Sequence, residues 1–321
     1  PDGTPMSDAE ALDEAKTIQS KMEENLGGSR FPNWIGPQRF GSGRPVTPHV
    51  GRHVANGDWE KAVMTYLSME GPHEEEEAKA VRSQIREHGI SEALLESLPR
   101  WMGFERRMIE HLLANPDDHV GAFRKLPTNL QLMTVHALQS IVFNKSLQRR
   151  LENHMPIARP VVGDIVGRVD EKGQLDVNSC VVVQDRTLSR IGRNCDLNRL
   201  TITGPLPGSE ITTSEGEPGK LEQETIDSEN LADVSWHVEA IPRLSTKGTR
   251  RGLVAAFNDF SVETVPKVEA ELLGKRWEKG PSGDDRWHPD GACLRFRFTL
   301  GSGSYATVLL REFMKGPLAN M

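Results

Sequence analysis

The chain has 321 residues and a formal net charge of −7, with 36% hydrophobic and 26% charged residues. This balance is typical of a globular protein of about two domains and excludes wholesale disorder. Because no apolar run approaches the ~18 residues of a membrane span and the cysteines form no disulfide framework, we expect a soluble, cytoplasmic protein.

The first half of the chain predicts helices. Ser7-x-x-Glu10 is a capping box that opens the first helix, and Gly27-Gly28 ends it. Residues 31–48 are rich in Gly and Pro and predict a long ordered loop. Periodic apolar residues then predict helices over 58–69, 74–88, 91–97, 104–114 and 129–152.

The second half predicts mostly strands, with loops between them. The acidic stretch 204–220 predicts a loop, and the charged segment 266–291 predicts a surface excursion. A helix over 304–315 ends the chain, and the order of elements indicates one α+β domain interrupted by another. The predicted strands are 161–169, 175–184, 199–203, 252–265 and 292–300.

Basic and acidic residues are segregated along the sequence. Nine carboxylates stand against one Lys in residues 210–239. Such segregation favours a basic groove that binds a polyanion such as RNA, and chance clustering of solvated charges is the alternative. Four stretches contain Arg or Lys and no acid: 25–57, 119–151, 240–258 and 291–311.

A Gly-rich turn at 301–306 (GSGSYA) follows a predicted strand and opens a predicted helix. This arrangement is typical of dinucleotide-binding turns, but no second strand with a terminal acid follows it. We therefore expect at most a phosphate or ribose contact from its backbone N–H groups. Tyr305 in this turn either stacks on a base or caps the core.

Three histidines suggest weaker hypotheses. His49 and His53 lie four residues apart near Asp58, but RNA contact or simple exposure is preferred over a metal site. His136 lies on the apolar face of the helix over 129–152, and we expect it to be a hydrogen-bonded core histidine. The sequence therefore predicts no metal site.

An aromatic and basic cluster lies in the Gly-rich loop. Stacking combined with phosphate contacts is typical of single-stranded RNA binding, and a loop pinned by its aromatic residues is the structural alternative. The members of the cluster are Arg30, Phe31, Trp34, Arg39, Phe40 and Arg44.

Four segments spread over most of the chain carry a specific resemblance. They are FPNWIGPQRFG at 31–41, HALQSIVFN at 136–144, STKGTRR at 245–251 and LGSGSYATVLLRE at 300–312. Together they resemble the PN-aromatic-FG-x-QRFG signature, the HAxQSxxFN helix and the two C-terminal blocks of the TruD family of tRNA pseudouridine synthases.

The resemblance implies an α+β fold in which a pseudouridine-synthase-type catalytic domain with a mixed, mostly antiparallel sheet is interrupted by a large inserted α+β (TRUD) domain. It implies catalytic pieces at 1–44 and 245–321 and an insertion at 45–244. It further implies that the protein needs no cofactor and has tRNA as its partner. Independently of the resemblance, we expect no membrane contact and favour a monomer, although the sequence does not determine the oligomeric state.

The resemblance also implies an isomerase that converts uridine to pseudouridine, at position 13 of tRNA. The base is flipped out, a carboxylate breaks the glycosidic bond and the uracil is re-attached through C5. By motif position, Tyr305 is the aromatic neighbour of the uracil, and Asn33, Gln38, Arg39 and Phe40 form the pocket wall and backbone clamp.

We expect tRNA phosphates to be bound by basic residues of the loop 30–52 and the block 243–251. These segments lack acids, and arginine and lysine supply most phosphate contacts in such complexes. The residues predicted to bind RNA are Arg30, Arg44, Arg52, Lys247, Arg250 and Arg251.

The chain also departs from the family pattern. The nucleophilic Asp of the family lies in a Gly-x-Lys-Asp block, which does not occur in these 321 residues. Smaller departures are Ile35 and Leu138 at usually aromatic positions and Gly301 where Pro is common. We expect a fragment without the nucleophilic Asp, inactive alone; a catalytically silent RNA-binding protein is the alternative, and a non-RNA interaction module the least favoured.

Overall fold

The structure, a computed structural model, describes residues 5–41, 43–171, 173–265 and 291–314. Within these ranges the chain is α+β with antiparallel strand pairing, which confirms the predicted fold class. The helices are α1 (Asp8–Leu26), α2 (Thr47–Ala55), α3 (Trp59–Ser68), α4 (Glu76–His88), α5 (Glu92–Ser97), α6 (Gly103–Ala114), α7 (His119–Phe123), α8 (Thr128–Glu152), α9 (Asp185–Asp196), α10 (Gly216–Ser228) and α11 (Ala306–Met314).

The strands form two antiparallel sheets. The first has the order β1-β6-β7 and the second the order β3-β2-β4-β5. No helix in the described part of the chain is long and apolar enough to cross a membrane. The strands are β1 (Arg30–Pro32), β2 (Ile165–Val169), β3 (Leu175–Val182), β4 (Leu200–Leu206), β5 (Thr249–Gly252), β6 (Val254–Val265) and β7 (Cys293–Leu300).

The first helix forms as its sequence predicts. The Ser7 hydroxyl accepts a hydrogen bond from the Glu10 backbone N–H, and the Glu10 carboxylate accepts one from the Ser7 N–H, so both orphan donors are satisfied. Gly27, with φ of 73°, ends the helix in a left-handed conformation that glycine adopts without strain. The predicted capping box and its stop are confirmed.

Two hydrophobic cores share helix α8. Val135 and Leu138 of α8 belong to the core of the helical part, while Phe143 and Leu147 belong to the core under the sheets. Helix α2 lies so close to α8 that a side chain at Gly51 would collide with the carbonyl oxygen of Thr134. The HAxQSxxFN-like segment of α8 is therefore held from both sides.

The second sheet crosses one of the predicted domain limits. β5 pairs with β4 in antiparallel register, with Arg251 opposite Gly204. Residues on the two sides of the predicted limit at 244/245 therefore share one ladder. The domain division into 1–44, 45–244 and 245–321 stays a prediction.

Several predicted loops are structured differently. Residues 204–220, predicted as a loop, include the end of β4 at Leu206 and the start of α10 at Gly216. Acidic composition concealed α10, because one of its carboxylates, Glu222, is buried rather than solvated. Helix α9 was not predicted, although Leu188, Ile191 and Cys195 have helical spacing. The predicted excursion at 266–291 lies outside the described residues, except for its last residue.

Candidate functional site

The FPNWIGPQRFG segment leaves β1 and is fixed by hydrogen bonds to other motif segments. The Asn33 side chain donates to the carbonyl of Gly252 at 2.9 Å, and its backbone N–H donates to the carbonyl of Leu253 at 2.8 Å. The Asn144 amide accepts from the Ile35 N–H and donates to the Ile35 carbonyl, both at 2.9 Å. Asparagines of two motifs therefore hold the backbone of residues 33–35 in place.

Arg251 lies where the four motif segments meet. Its Nη2 donates to Asn33 Oδ1 at 2.5 Å and to the Gly303 carbonyl at 3.0 Å, and its Nε donates to the Asn33 carbonyl at 3.2 Å. Its guanidinium carbon lies 5.5 Å from the ring centroid of Phe143 and 5.9 Å from that of Tyr305. We call these five residues (Asn33, Phe143, Arg251, Gly303 and Tyr305) the Arg251 cluster.

Burial dominates the electrostatics of Arg251. It lowers the pKa of the guanidinium to about 10, and the charge of Arg39 acts in the same direction. Arg251 still carries its positive charge at neutral pH, because this pKa lies well above 7. In the described part of the chain no carboxylate forms an ion pair with Arg251 or Arg39, so the positive charge of the cluster is not neutralised.

Tyr305 lies half-buried in the turn between β7 and α11. Its ring packs against the backbone at Gly36, where a Cβ would come within 3.0 Å of Tyr305 Cδ1. A side-chain hydrogen bond of 3.0 Å from Gln38 to the Thr307 hydroxyl joins the two segments beside the ring. A side chain at position 36 would therefore crowd both the aromatic ring and the Gln38 side chain, whose Oε1 would lie 2.6 Å from the Cβ.

Arg39 and His136 lie beside the Arg251 cluster. Arg39 is partly exposed, and no side-chain partner for it occurs in the described ranges. Partial desolvation lowers the pKa of His136, and the positive charge of Arg39 lowers it further. The prediction of a core histidine is wrong, because α8 is buried on both flanks and His136 lies on the exposed strip between them.

Three arginines that we predicted to bind phosphate are instead bound inside the protein. Arg30 donates to the carbonyl of Cys195 at 2.7 Å. Arg44 donates to the carbonyl of Tyr66 at 2.6 Å, and Arg250 Nη2 donates to the Glu222 carboxylate at 2.5 Å. A buried guanidinium needs such acceptors, because desolvating an unpaired charge is costly. These three residues are therefore removed from the candidate RNA-binding set.

The other predicted residues have mixed positions. Arg52 is bound by Glu229 and Phe40 is buried in the core, so both have structural partners. Lys247 is exposed and forms a 3.1 Å ion pair with Glu210. An exposed pair of this kind contributes little to stability, and Lys247 is free to exchange it for a phosphate.

The structure thus brings together Asn33, Gln38, Arg39, Arg251 and Tyr305 from the predicted set. Phe143, Asn144 and His136 also lie here, and the only signal for them in the sequence was their membership of the HAxQSxxFN-like segment.

The two histidines of the weak metal pattern, His49 and His53, both lie on α2. Nowhere in the described ranges do three His, Cys, Asp or Glu side chains form a group that would hold a metal ion.

Comparison with known proteins supplies the family. The profile of tRNA pseudouridine synthase D (TruD) matches residues 3–313. The chain belongs to the TruD family. The predicted family is confirmed, and the match covers all four segments that carried the resemblance.

Two relatives show the extent of the similarity. The chain is 37% identical over 298 residues to a probable tRNA pseudouridine synthase D of Methanosarcina mazei, covering 93% of this chain and 64% of that protein. It is 34% identical to one of Methanopyrus kandleri, over 90% of this chain and 58% of that protein. The chain therefore spans less than two thirds of the length of these curated relatives.

The fold also resembles a solved TruD structure. The crystal structure of the putative tRNA pseudouridine synthase D (TruD) from Methanosarcina mazei superimposes with a TM-score of 0.82 at 34% identity. The alignment covers 98% of this chain and 67% of that one. The α+β architecture described above is therefore shared with a family member over nearly the whole chain.

Proposed function

We propose that this TruD-family chain binds and orients the target uridine of a tRNA in a pseudouridine synthase reaction. The observation that carries the proposal is the Arg251 cluster, in which segments from four distant parts of the sequence enclose one unneutralised guanidinium beside an aromatic ring. The names of the relatives, tRNA pseudouridine synthase D, support the substrate class.

The reaction detaches uracil from C1′ of its ribose, rotates it and rejoins it through C5. A base inside folded RNA is reached only after it is flipped out and held. The half-buried ring of Tyr305 suits stacking on such a base. The guanidinium of Arg39, which has no side-chain partner among the described residues, suits an adjacent phosphate. Arg251 holds Asn33 and the turn at Gly303 in register, so the ring and the guanidinium keep their relative positions.

We do not assign the carboxylate that breaks the glycosidic bond to any residue of this chain. Gly-x-Lys-Asp does not occur among the 321 residues, so we assign the binding and orienting steps to this chain and expect no turnover by the chain alone. Uridine at position 13 of tRNA is the proposed target, by resemblance. A monomer in the cytoplasm that uses no cofactor stays our prediction.

The test adds the part of a relative to which this chain has no counterpart. The chain is incubated with an unmodified tRNA transcript, alone and with the part of the Methanosarcina mazei relative that this chain does not match, and pseudouridine is detected chemically. We expect turnover only in the mixture, and none with a transcript carrying cytidine at position 13. The matched control is the same added segment with an Asp→Asn change at the Gly-x-Lys-Asp block that the family resemblance predicts there.

Each result has a distinct meaning. Tight tRNA binding without turnover in any mixture would identify a catalytically silent RNA-binding protein, which is the alternative function. Turnover by the chain alone would contradict our assignment and direct the search to a carboxylate within the 321 residues. Absence of tRNA binding would contradict the proposed function as a whole.

A further inference from the structure

Helix α9 carries a row of arginines that the candidate site does not use. Arg186, Arg190 and Arg193 are exposed and lie within about 60° of one another around the helix axis, given 3.6 residues per turn. The opposite side of α9 packs into the core under the sheets through Ile191 and Cys195. The arginines therefore project from a helix whose inner face is fixed. We call these three residues the arginine face.

The arginine face lacks acidic partners within the described part of the chain. Arg186 Nε donates to the neutral Gln184 Oε1 at 2.9 Å. The guanidinium groups of Arg190 and Arg193 have no hydrogen bond or ion pair with any described residue. Asp185 and Asp196, at the two ends of the helix, lie about a quarter turn away from the face.

The lack of acidic partners distinguishes the arginine face from several other basic positions. Exposed Arg86 and Lys247 each pair with a glutamate, as does the partly exposed Lys79, and Arg295 and Arg297 share Glu263. The outward face of β7, which the sequence left open as an RNA groove, is thus only partly neutralised, because one carboxylate serves two guanidinium groups. Arg100, Arg168 and Arg199 are also exposed without a side-chain partner in the described ranges, whereas α9 carries three exposed arginines without an acidic partner on one helix face.

We propose that the arginine face is a docking surface for the phosphate backbone of tRNA. Its three residues extend over about 10 Å along the helix axis, comparable with the rise of about three nucleotides of one strand. The planar fork of arginine matches phosphate oxygens, and the missing carboxylate partners leave those donors available. This inference deepens the proposed function and rests on it, because it assumes that tRNA is the partner.

The arginine face is rigidly connected to the candidate site. Arg30, the first residue of β1, donates to the carbonyls of Cys195 at 2.7 Å and Asp196 at 3.5 Å, where α9 ends. Three residues further along the same segment is Asn33, which accepts from Arg251. RNA held at α9 is therefore held at a fixed position relative to the Arg251 cluster, and binding at both places orients one molecule.

The experiment measures tRNA affinity as a function of salt. The variant is Arg190→Gln with Arg193→Gln. The matched control is Lys16→Gln with Lys21→Gln, which removes the same amount of charge from two exposed lysines of α1. Each lost phosphate contact lowers the slope of log K against log salt by about 0.7–0.9, so we expect a decrease of about 1.5 in the arginine variant and none in the control. Arg190→Lys with Arg193→Lys should restore most of the slope.

The outcomes separate the two proposals. Circular dichroism first establishes that all variants are folded. Wild-type binding with an unchanged slope in the Arg190/Arg193 variant would overturn the arginine face and leave the proposed function standing. No tRNA binding by the wild type would overturn both. Displacement of tRNA by polyglutamate as readily as by duplex RNA of equal charge would overturn the RNA assignment in favour of an acidic protein partner.

Discussion

Arg251 donates to both oxygens of Asn33, to the side-chain Oδ1 at 2.5 Å and to the backbone carbonyl at 3.2 Å. The same guanidinium donates to the carbonyl of Gly303, two residues before Tyr305. One side chain thus connects a strand near the start of the chain to a turn near its end. The relationship makes Arg251 a positioning residue for the Tyr305 ring, because it supports the turn that carries the ring and lies over one side of the ring.

Replacing Arg251 by Ala should destabilise the protein and weaken tRNA binding together. The change leaves the partly buried oxygens of Asn33 without a donor, which costs about 1–3 kcal/mol in comparable cases, whereas the exposed carbonyl of Gly303 is solvated by water. Arg251→Lys should be intermediate in both properties, because an ammonium group cannot make the same planar fork. Urea unfolding gives the free energy of unfolding, and filter binding gives the affinity.

The control for Arg251 is Arg295→Ala. Arg295 is exposed and pairs with Glu263 at 3.2 Å on the outer face of β7, so its loss should change the free energy of unfolding by less than about 1 kcal/mol. Equal stability of the Arg251→Ala and Arg295→Ala proteins would contradict the positioning role.

Replacing Arg250 or Lys247 by Ala should have different effects on stability, although the two residues are close neighbours in the chain. Arg250 is buried and bound by Glu222, so Arg250→Ala should cost about 3–5 kcal/mol of unfolding free energy by leaving an uncompensated buried charge. Lys247→Ala should leave the unfolding free energy nearly unchanged, because its pair with Glu210 is exposed. If Lys247 contacts phosphate, its loss lowers the salt slope of tRNA binding by about 0.7–0.9.

This pair also shows how a charge-reversal test would mislead. An Arg250→Glu variant would lose tRNA binding by unfolding, without any phosphate contact at that position. An Arg250→Ala protein as stable as the wild type would contradict the structural role that we assign to the guanidinium.

Sequence motifs predicted which segments meet at the site. The resemblance identified Asn33 and Tyr305 as pocket residues, and the acid-free block at 243–251 singled out Arg251. The structure brings the three together. The fold class was also predictable, because the capping box of α1 and the strand pattern of β7 are local signals that tertiary packing did not override.

The hydrogen-bond and ion-pair partners of the basic residues could not be predicted from the sequence. An acid-free stretch describes only neighbours along the chain, whereas Glu222 lies 28 positions before Arg250 and the carbonyl that binds Arg30 lies 165 positions after it. The arginine face escaped notice for the converse reason, because Asp185 and Asp196 interrupt the stretch while pointing away from it. The distribution of charges along the sequence therefore predicts a binding surface only once the ion pairs of the folded protein are known.

Acidification should destabilise the protein partly through its histidines. The pKa of His136 is lowered by partial desolvation and by Arg39, and that of His49 by partial desolvation and by Arg52. A lowered native pKa means that the folded state favours the neutral ring. The stabilisation is therefore complete above the unfolded pKa of about 6.5 and is lost as pH falls through the native value.

The comparison of pH 7.5 with pH 5.5 tests this directly. His136→Gln, which cannot protonate, should lose less unfolding free energy over that interval than the wild type in urea titrations. His154→Gln serves as the control, since His154 lies at the end of α8 away from Arg39, and its pH response should match that of the wild type. A larger acid loss in the His136→Gln protein would contradict the sign of the shift.

Tyr305 should tolerate loss of its hydroxyl but not of its ring. Within the described ranges the hydroxyl has no hydrogen-bond partner, so Tyr305→Phe should retain tRNA binding and, in the mixture with the segment of the relative, pseudouridine formation. Tyr305→Ala removes the stacking surface and should lose about 1–3 kcal/mol, the usual contribution of a base stacked on an aromatic ring. The readouts are affinity for the transcript and single-turnover rate.

The stability of both variants separates stacking from packing. The ring rests on Gly36 and under Arg251, so Tyr305→Ala also removes internal contacts. In the Tyr305→Leu protein, the leucine side chain fills part of that volume but offers no aromatic face. We expect this protein to be more stable than Tyr305→Ala but to bind the transcript no more tightly. If Tyr305→Leu binds the transcript as tightly as Tyr305→Phe, the ring serves only to cap the core, and the base lies elsewhere.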